Sequence, residues 1–159
     1  MADPVTGLTQ RDREVIANTW EEIGNKKVIK DYGVDLFIAL FKAFPYMQDY
    51  FAQFKGQTLE DLKTSRGLRN HASGTMHALK GYVENLDDPD TLVKLVTRTA
   101  NIHLPKGIKT VEMDKLAFAF DAFMKENLGE KWTEEASAAW AQLLKVHNAV
   151  YKQEENLNE

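Results

Sequence analysis

The chain has 159 residues, of which 43% are hydrophobic and 28% charged. That length suits one domain, able to bury roughly 68–70% of the surface its unfolded form exposes. The absence of cysteine excludes a disulfide scaffold, an iron–sulfur cluster, a Cys-ligated zinc and a thiol nucleophile, and a net charge of −4 argues against a nucleic-acid partner.

Met1–Gly7 carries neither a basic nor an apolar segment of the kind a signal peptide needs. No apolar run approaches the ~20 residues of a membrane span. A cytoplasmic protein with no membrane partner is the expectation, organised as one domain over 1–159. Its core is expected over about 9–151, with a polar tail that frays from Lys152.

The periodicity is helical throughout. Thr9 followed by Asp12 reads as a capping box, with Asp standing where Glu is usual. Val15, Ile16, Trp20 and Ile23 then form one apolar face, stopped by Gly24-Asn25. A second helix runs from about Val28, through Tyr32, Leu36, Phe37, Leu40 and Phe41, until Pro45 ends it. Residues 46–57 form an aromatic connector with Tyr46, Tyr50, Phe51 and Phe54. Thr58 and Asp61 cap one short helix.

Thr64 or Ser65 opens a long helix whose inner stripe is Leu68, His71, Ala72, Thr75, Leu79, Tyr82, Val83 and Leu86. Asp87-Asp88-Pro89 stops it and starts another. That one carries Leu92, Leu95, Val96, Thr99, Ile102 and His103 inward before Leu104-Pro105-Lys106-Gly107 breaks it. Thr110 precedes a strongly apolar helix containing Val111, Met113, Leu116, Ala117, Phe120, Phe123 and Met124, ended at Gly129. Trp132-Thr133 opens the last, with Ala136, Trp140, Leu143, Leu144, His147, Val150 and Tyr151 on its face. The expectation is an all-α fold of six long helices and one or two short ones.

No dinucleotide, phosphate-loop, zinc-protease, serine-hydrolase or EF-hand motif is present, and the carboxylates fall on polar faces. The four histidines carry what chemistry there is. His77 lies off its helix stripe and reads as solvated. His147 reads as a core histidine with a local hydrogen-bond partner. His71 faces inward in mid-helix, and His103 faces inward at the end of the next long helix. With Phe51 and Phe54 ahead of them, these two histidines suit a flat apolar ligand held between two helices. Such a ligand needs an axial nitrogen on one side, a polar group on the other and aromatics against its faces. A haem fits that description.

Seven landmarks stand in order: Trp20, Pro45, Phe51, Phe54, His71, His103 and Trp140. Over about residues 9–151 the sequence resembles the globin family, most of all the molluscan-type intracellular members. The resemblance implies a three-over-three helical sandwich with crossings of about 50°. It implies haem b (iron protoporphyrin IX) as the cofactor and reversible O2 binding for storage or transport, with CO and NO as further ligands. His103 corresponds to the proximal iron ligand, its other ring nitrogen expected on a carbonyl near Thr99. His71 corresponds to the distal histidine.

Phe37 matches the position that overhangs the ligand, and Phe51 the phenylalanine packed on the haem. Leu68, Leu95, Val96, Leu104 and Ile108 are candidates for the haem wall, against the plainer reading of ordinary core. Thr75 departs from the family, which usually has Val, Ile or Leu there. Its hydroxyl either bonds back to a helix carbonyl or polarises the pocket. Rival readings are a peroxidase or nitric-oxide dioxygenase of the same fold, and a hexacoordinate sensor in which His71 itself binds iron. A homodimer through the helices bearing His71 and His103 is compatible with Lys63, Arg66, Lys94, Arg98 and Asn101.

Overall fold

The computed structural model describes residues 1–24 and 29–159. Among them are seven α-helices: α1 (Gln10–Gly24), α2 (Ile29–Ala43), α3 (Leu59–Lys63), α4 (Arg66–Glu84), α5 (Pro89–His103), α6 (Thr110–Leu128) and α7 (Glu134–Leu157). The expected stop at Asn25 and start at Val28 lie outside the described residues.

Most boundaries follow from caps. Thr9 Oγ1 accepts from Asp12 N–H at 3.0 Å, and Asp12 accepts from Thr9 N–H at 2.9 Å. Thr58 and Asp61 repeat the arrangement before α3. Ser65 caps α4, Asp88 caps α5 ahead of Pro89, and Thr133 caps α7. Gly107, at φ 83°, makes the left-handed turn after α5. α6 begins at Thr110, where Glu112 accepts from Lys109 N–H at 2.9 Å.

The helices form two layers, with α1, α4 and α5 over α2, α6 and α7. Neighbours touch within layers (α1·α4, α4·α5, α2·α6, α6·α7) and crossings join them (α1·α7, α2·α4, α5·α7). This is the expected three-over-three sandwich. The first crossing centres on Trp20 and Trp140, whose rings lie 6.1 Å apart, and Trp140 Nε1–H donates to Thr19 Oγ1 at 2.7 Å. A second cluster gathers Phe37, Phe41, Phe54, Leu62 and Leu68, and a third Ala100, Met113 and Tyr151. Leu116 packs against all three clusters.

Gly33 sets how closely α2 meets α4. A Cβ there would stand 2.8 Å from Met76 Cγ and 2.9 Å from the Ala72 carbonyl oxygen. The oxygen belongs to the α4 backbone and cannot step aside. Alanine gains about 1 kcal/mol over glycine from helix propensity, while overpacking costs about 1–3 kcal/mol. Gly33→Ala is expected to lower the urea midpoint. A raised midpoint would show that α4 yields at this crossing.

Three sequence expectations are corrected. The segment from Lys152 does not fray but continues α7 to Leu157. Glu155 is buried there, accepting from Thr110 N–H and from Lys152 Nζ, each at 2.7 Å. The Lys152 and Thr110 hydrogen bonds hold its carboxyl at a pKa of about 2. Tyr151 O–H adds a bond to the Ile108 carbonyl. Ile102 and Val111, both placed on apolar stripes, are each 50% exposed. Each stands at the end of a helix, where the stripe runs past its packing partner.

Candidate functional site

α4, α5, α6 and α7 enclose a cavity of about 410 Å³. His71 and Thr75 line it from α4, His103 from the end of α5, Leu116 and Phe120 from α6, and Leu144 and His147 from α7. The two histidines that the sequence singles out therefore share one chamber. A cleft of about 40 Å³ adjoins it, lined by Phe37, Phe51, His71, His103 and Ile108 among others.

His103 is oriented by backbone. Its Nδ1 lies 2.8 Å from the Thr99 carbonyl oxygen, one helical turn back. A carbonyl only accepts, so Nδ1 carries the hydrogen and Nε2 keeps its lone pair when the ring is neutral. Thr99 is itself held. Its hydroxyl donates to the Leu95 carbonyl at 3.2 Å, which leaves Tyr82 O–H as the donor across the 2.7 Å contact to Thr99 Oγ1. The ring therefore rests on a chain that runs from α4 through Thr99.

His71 is wedged between aromatic rings. Phe37 lies 5.0 Å and Phe51 4.8 Å away, centroid to centroid, both edge-on. Burial lowers the His71 pKa to about 4, with smaller contributions from His103 and Lys106. The imidazole is neutral at pH 7 and keeps one N–H. Thr75 lines the cavity, and its hydroxyl reaches back to the His71 carbonyl at a long 3.4 Å.

The remaining candidates divide. Phe54 and Leu68 are fully buried in the cluster below α2, and Val96 in the cluster of α1 and α7. Leu95 packs beside the same cluster as Val96, the one that holds Trp20 and Trp140, and Leu104 beside Met113 and Tyr151. None of these five lines the cavity. Periodicity marks Leu68, Leu95 and Val96 as inward but does not separate a cavity wall from solid core. Conversely, Leu36, Tyr82, Met113 and Leu144 line the cavity without having been singled out. Asn70, Gly74, Ile102 and Lys106 form an exposed mouth between α4 and α5.

His77 is exposed, with Nδ1 2.6 Å from the Ser73 carbonyl. His147 is buried, as expected, and has a local partner. Asn148 Nδ2–H donates to Asp114 at 2.7 Å, which turns Asn148 Oδ1 toward His147 Nδ1–H at 2.8 Å. Burial lowers the His147 pKa.

His71, half-buried, and His147, buried, both have folded pKa values below their unfolded ones. The unfolded chain then binds more protons as pH falls, so stability present above about 6.5 is lost toward about 4, the window His71 sets. The urea midpoint of the chain free of any bound group is expected to fall between pH 7 and pH 5. His71→Leu should flatten that fall, and a midpoint equal at both pH values would contradict the neutral-histidine description.

The globin family model matches residues 34–151. A globin of Nerita albicilla is 27% identical over 142 residues, covering 89% of each chain. The solved structure of ferric Aplysia limacina myoglobin is similar with a TM-score of 0.81 at 24% identity, covering 92% of this chain and 97% of that one. A hexacoordinated haem protein from an anhydrobiotic tardigrade reaches 0.88 at 18% identity, covering 98% of this chain and 99% of its own. The two structural likenesses establish the fold, and the family match takes in the three histidines that line the cavity, His71, His103 and His147. The chain belongs to the globin family, with a molluscan member among its relatives.

Proposed function

We propose that this globin holds haem b and binds O2 reversibly, for storage or transport, with His103 as the iron ligand and His71 facing the gas. One observation carries the reading: imidazoles from α4 and α5 enter a single apolar cavity of about 410 Å³. The residues present fit a haem. The walls are mostly apolar, the mouth opens between α4 and α5, and Asn70 and Lys106 at its rim offer donors to porphyrin carboxylates.

Bound haem supplies an iron that takes up and releases a diatomic gas. This chain's own residues do the rest. The Thr99 carbonyl keeps the His103 hydrogen on Nδ1 and so presents Nε2 to a metal. His71, neutral at pH 7, offers its N–H to a polar gas such as O2, and CO and NO enter the same space. Phe37 and Phe51 hold the His71 ring edge-on and exclude water from its side of the cavity. The Thr75 hydroxyl, turned back to the helix, supports the reading in which it leaves the pocket apolar. The same proposal places the chain in the cytoplasm, where a His-ligated haem needs no thiol. It admits a homodimer through the exposed Arg66, Lys94, Arg98 and Asn101 on α4 and α5.

A second reading has a specific observation behind it. His71 shares the cavity with His103 and is neutral, so its ring would be chemically equipped to hold the iron together with His103. The ferrous visible spectrum separates the two. A single broad band is the result expected for an open sixth position, and sharp split bands would replace it with bis-histidine ligation.

A further inference from the structure

His147 is the third imidazole on the cavity, and neither iron nor gas accounts for it. Only 8% of the residue is exposed. Its Nδ1–H is taken by Asn148 Oδ1 at 2.8 Å, so the neutral ring carries its lone pair on Nε2. No described residue makes a hydrogen bond to that Nε2. Nor is Nε2 sealed within protein: among the described residues the sealed side-chain atoms without a partner are Trp20 Nε1 and Thr110 Oγ1. Its open edge faces the cavity that the ring lines. Tyr82 and Tyr151 pack on the imidazole at 5.4 and 6.1 Å between centroids and hold it in place. We infer that the buried end of the cavity, at His147, binds a small uncharged molecule with an apolar body and one hydrogen-bond donor, of the class of a phenol or short alcohol, its donor on Nε2. The site rests on the cavity and the free Nε2, not on the haem reading.

The surroundings define the ligand class. The other polar groups at this end are engaged. Tyr82 O–H donates to Thr99 Oγ1 at 2.7 Å, the Thr99 hydroxyl donates to the Leu95 carbonyl at 3.2 Å, and Asn148 Nδ2–H donates to Asp114 at 2.7 Å. The remaining walls are apolar: Ala78, Leu79, Leu116, Phe120 and Leu144. A buried water makes about three hydrogen bonds, and one unpartnered acceptor matches it poorly. A charged ligand would lie buried with no opposite charge beside it. An uncharged body with a single O–H meets both conditions: it covers the apolar walls and pairs an acceptor that is otherwise left unmatched.

Phenol and anisole separate the donor from the body, because the methyl ether keeps the ring but has no hydrogen to give. Both are to be titrated calorimetrically into the haem-loaded chain, held CO-saturated so that phenol does not reach the iron. One phenol per chain is expected, with anisole about 3- to 10-fold weaker, the worth of one neutral hydrogen bond. His147→Leu and His147→Phe both remove the acceptor, and in each the preference for phenol should vanish while circular dichroism shows the helices intact. A wild-type chain that binds neither probe, or both equally, would overturn the site. So would a preference that survives in a folded His147 variant. A wild-type crystal grown with phenol gives a readout that needs no variant. The phenol oxygen is expected about 3 Å from Nε2, and phenol found only elsewhere would overturn the site. Failure to load haem would instead count against the haem reading, and the same titrations of the haem-free chain would then decide the site.

Discussion

His103→Gly, prepared without added imidazole, is expected to lose stable haem and the ferrous spectrum of the parent chain. Among the four histidines, His103 alone combines a place on the cavity with a ring hydrogen held by a backbone carbonyl. That bond fixes the tautomer and aims Nε2, and outer contacts of this kind are worth about 10–100-fold in metal affinity even when the ligand itself stays. Removing the ligand removes both contributions. The Thr99 carbonyl cannot be deleted by substitution, but Tyr82→Phe takes away the hydroxyl that steadies Thr99 and makes a milder companion. Haem retention is to be followed by transfer to an acceptor apoprotein. His77→Gly, on an exposed ring away from the cavity, serves as the control. A His103→Gly protein with an unchanged ferrous spectrum and unchanged retention would remove His103 from the iron.

His71→Leu is expected to accelerate O2 dissociation by about 10- to 100-fold, the worth of one charge-assisted hydrogen bond of about 1.5–3 kcal/mol. Bound O2 draws negative charge, so a donor beside it strengthens the complex; CO draws less and gains less. CO affinity should therefore not weaken comparably. The prediction depends on a neutral ring, and burial meets that condition by lowering the His71 pKa to about 4. The edge-on rings of Phe37 and Phe51 limit the rotation that would carry the N–H away. Stopped-flow displacement of O2 by CO gives the rate. A level O2 dissociation rate would mean that His71 does not donate, and would favour the hexacoordinate reading if the split ferrous bands disappeared in the same variant.

Much of this architecture was legible because its determinants are local. Thr9 with Asp12, Thr58 with Asp61, Ser65, Asp88-Pro89 and Thr133 each satisfy orphan helix groups within three residues, so they mark boundaries without reference to tertiary structure. The bond from His103 to the Thr99 carbonyl is equally local, spanning one turn. Features that need two distant segments were not legible. Glu155 reads as tail polarity until Thr110 N–H is brought to it. Gly33 carries no local signal, and its need for a missing side chain shows only where Ala72 and Met76 close over it. Leu68 and Val96 show the same limit from the other side. Their stripes point inward correctly, yet the partner helix decides whether a side chain meets another or an open chamber, and here both meet core.

The central claim is that the chamber between α4 and α5 is a haem site. Its most direct measurement is the absorption spectrum of the purified chain, with haemin titrated into any haem-free fraction. A Soret band saturating at one haem per chain, and lost in His103→Gly, is the predicted result. A chain that develops no Soret band on titration would contradict it.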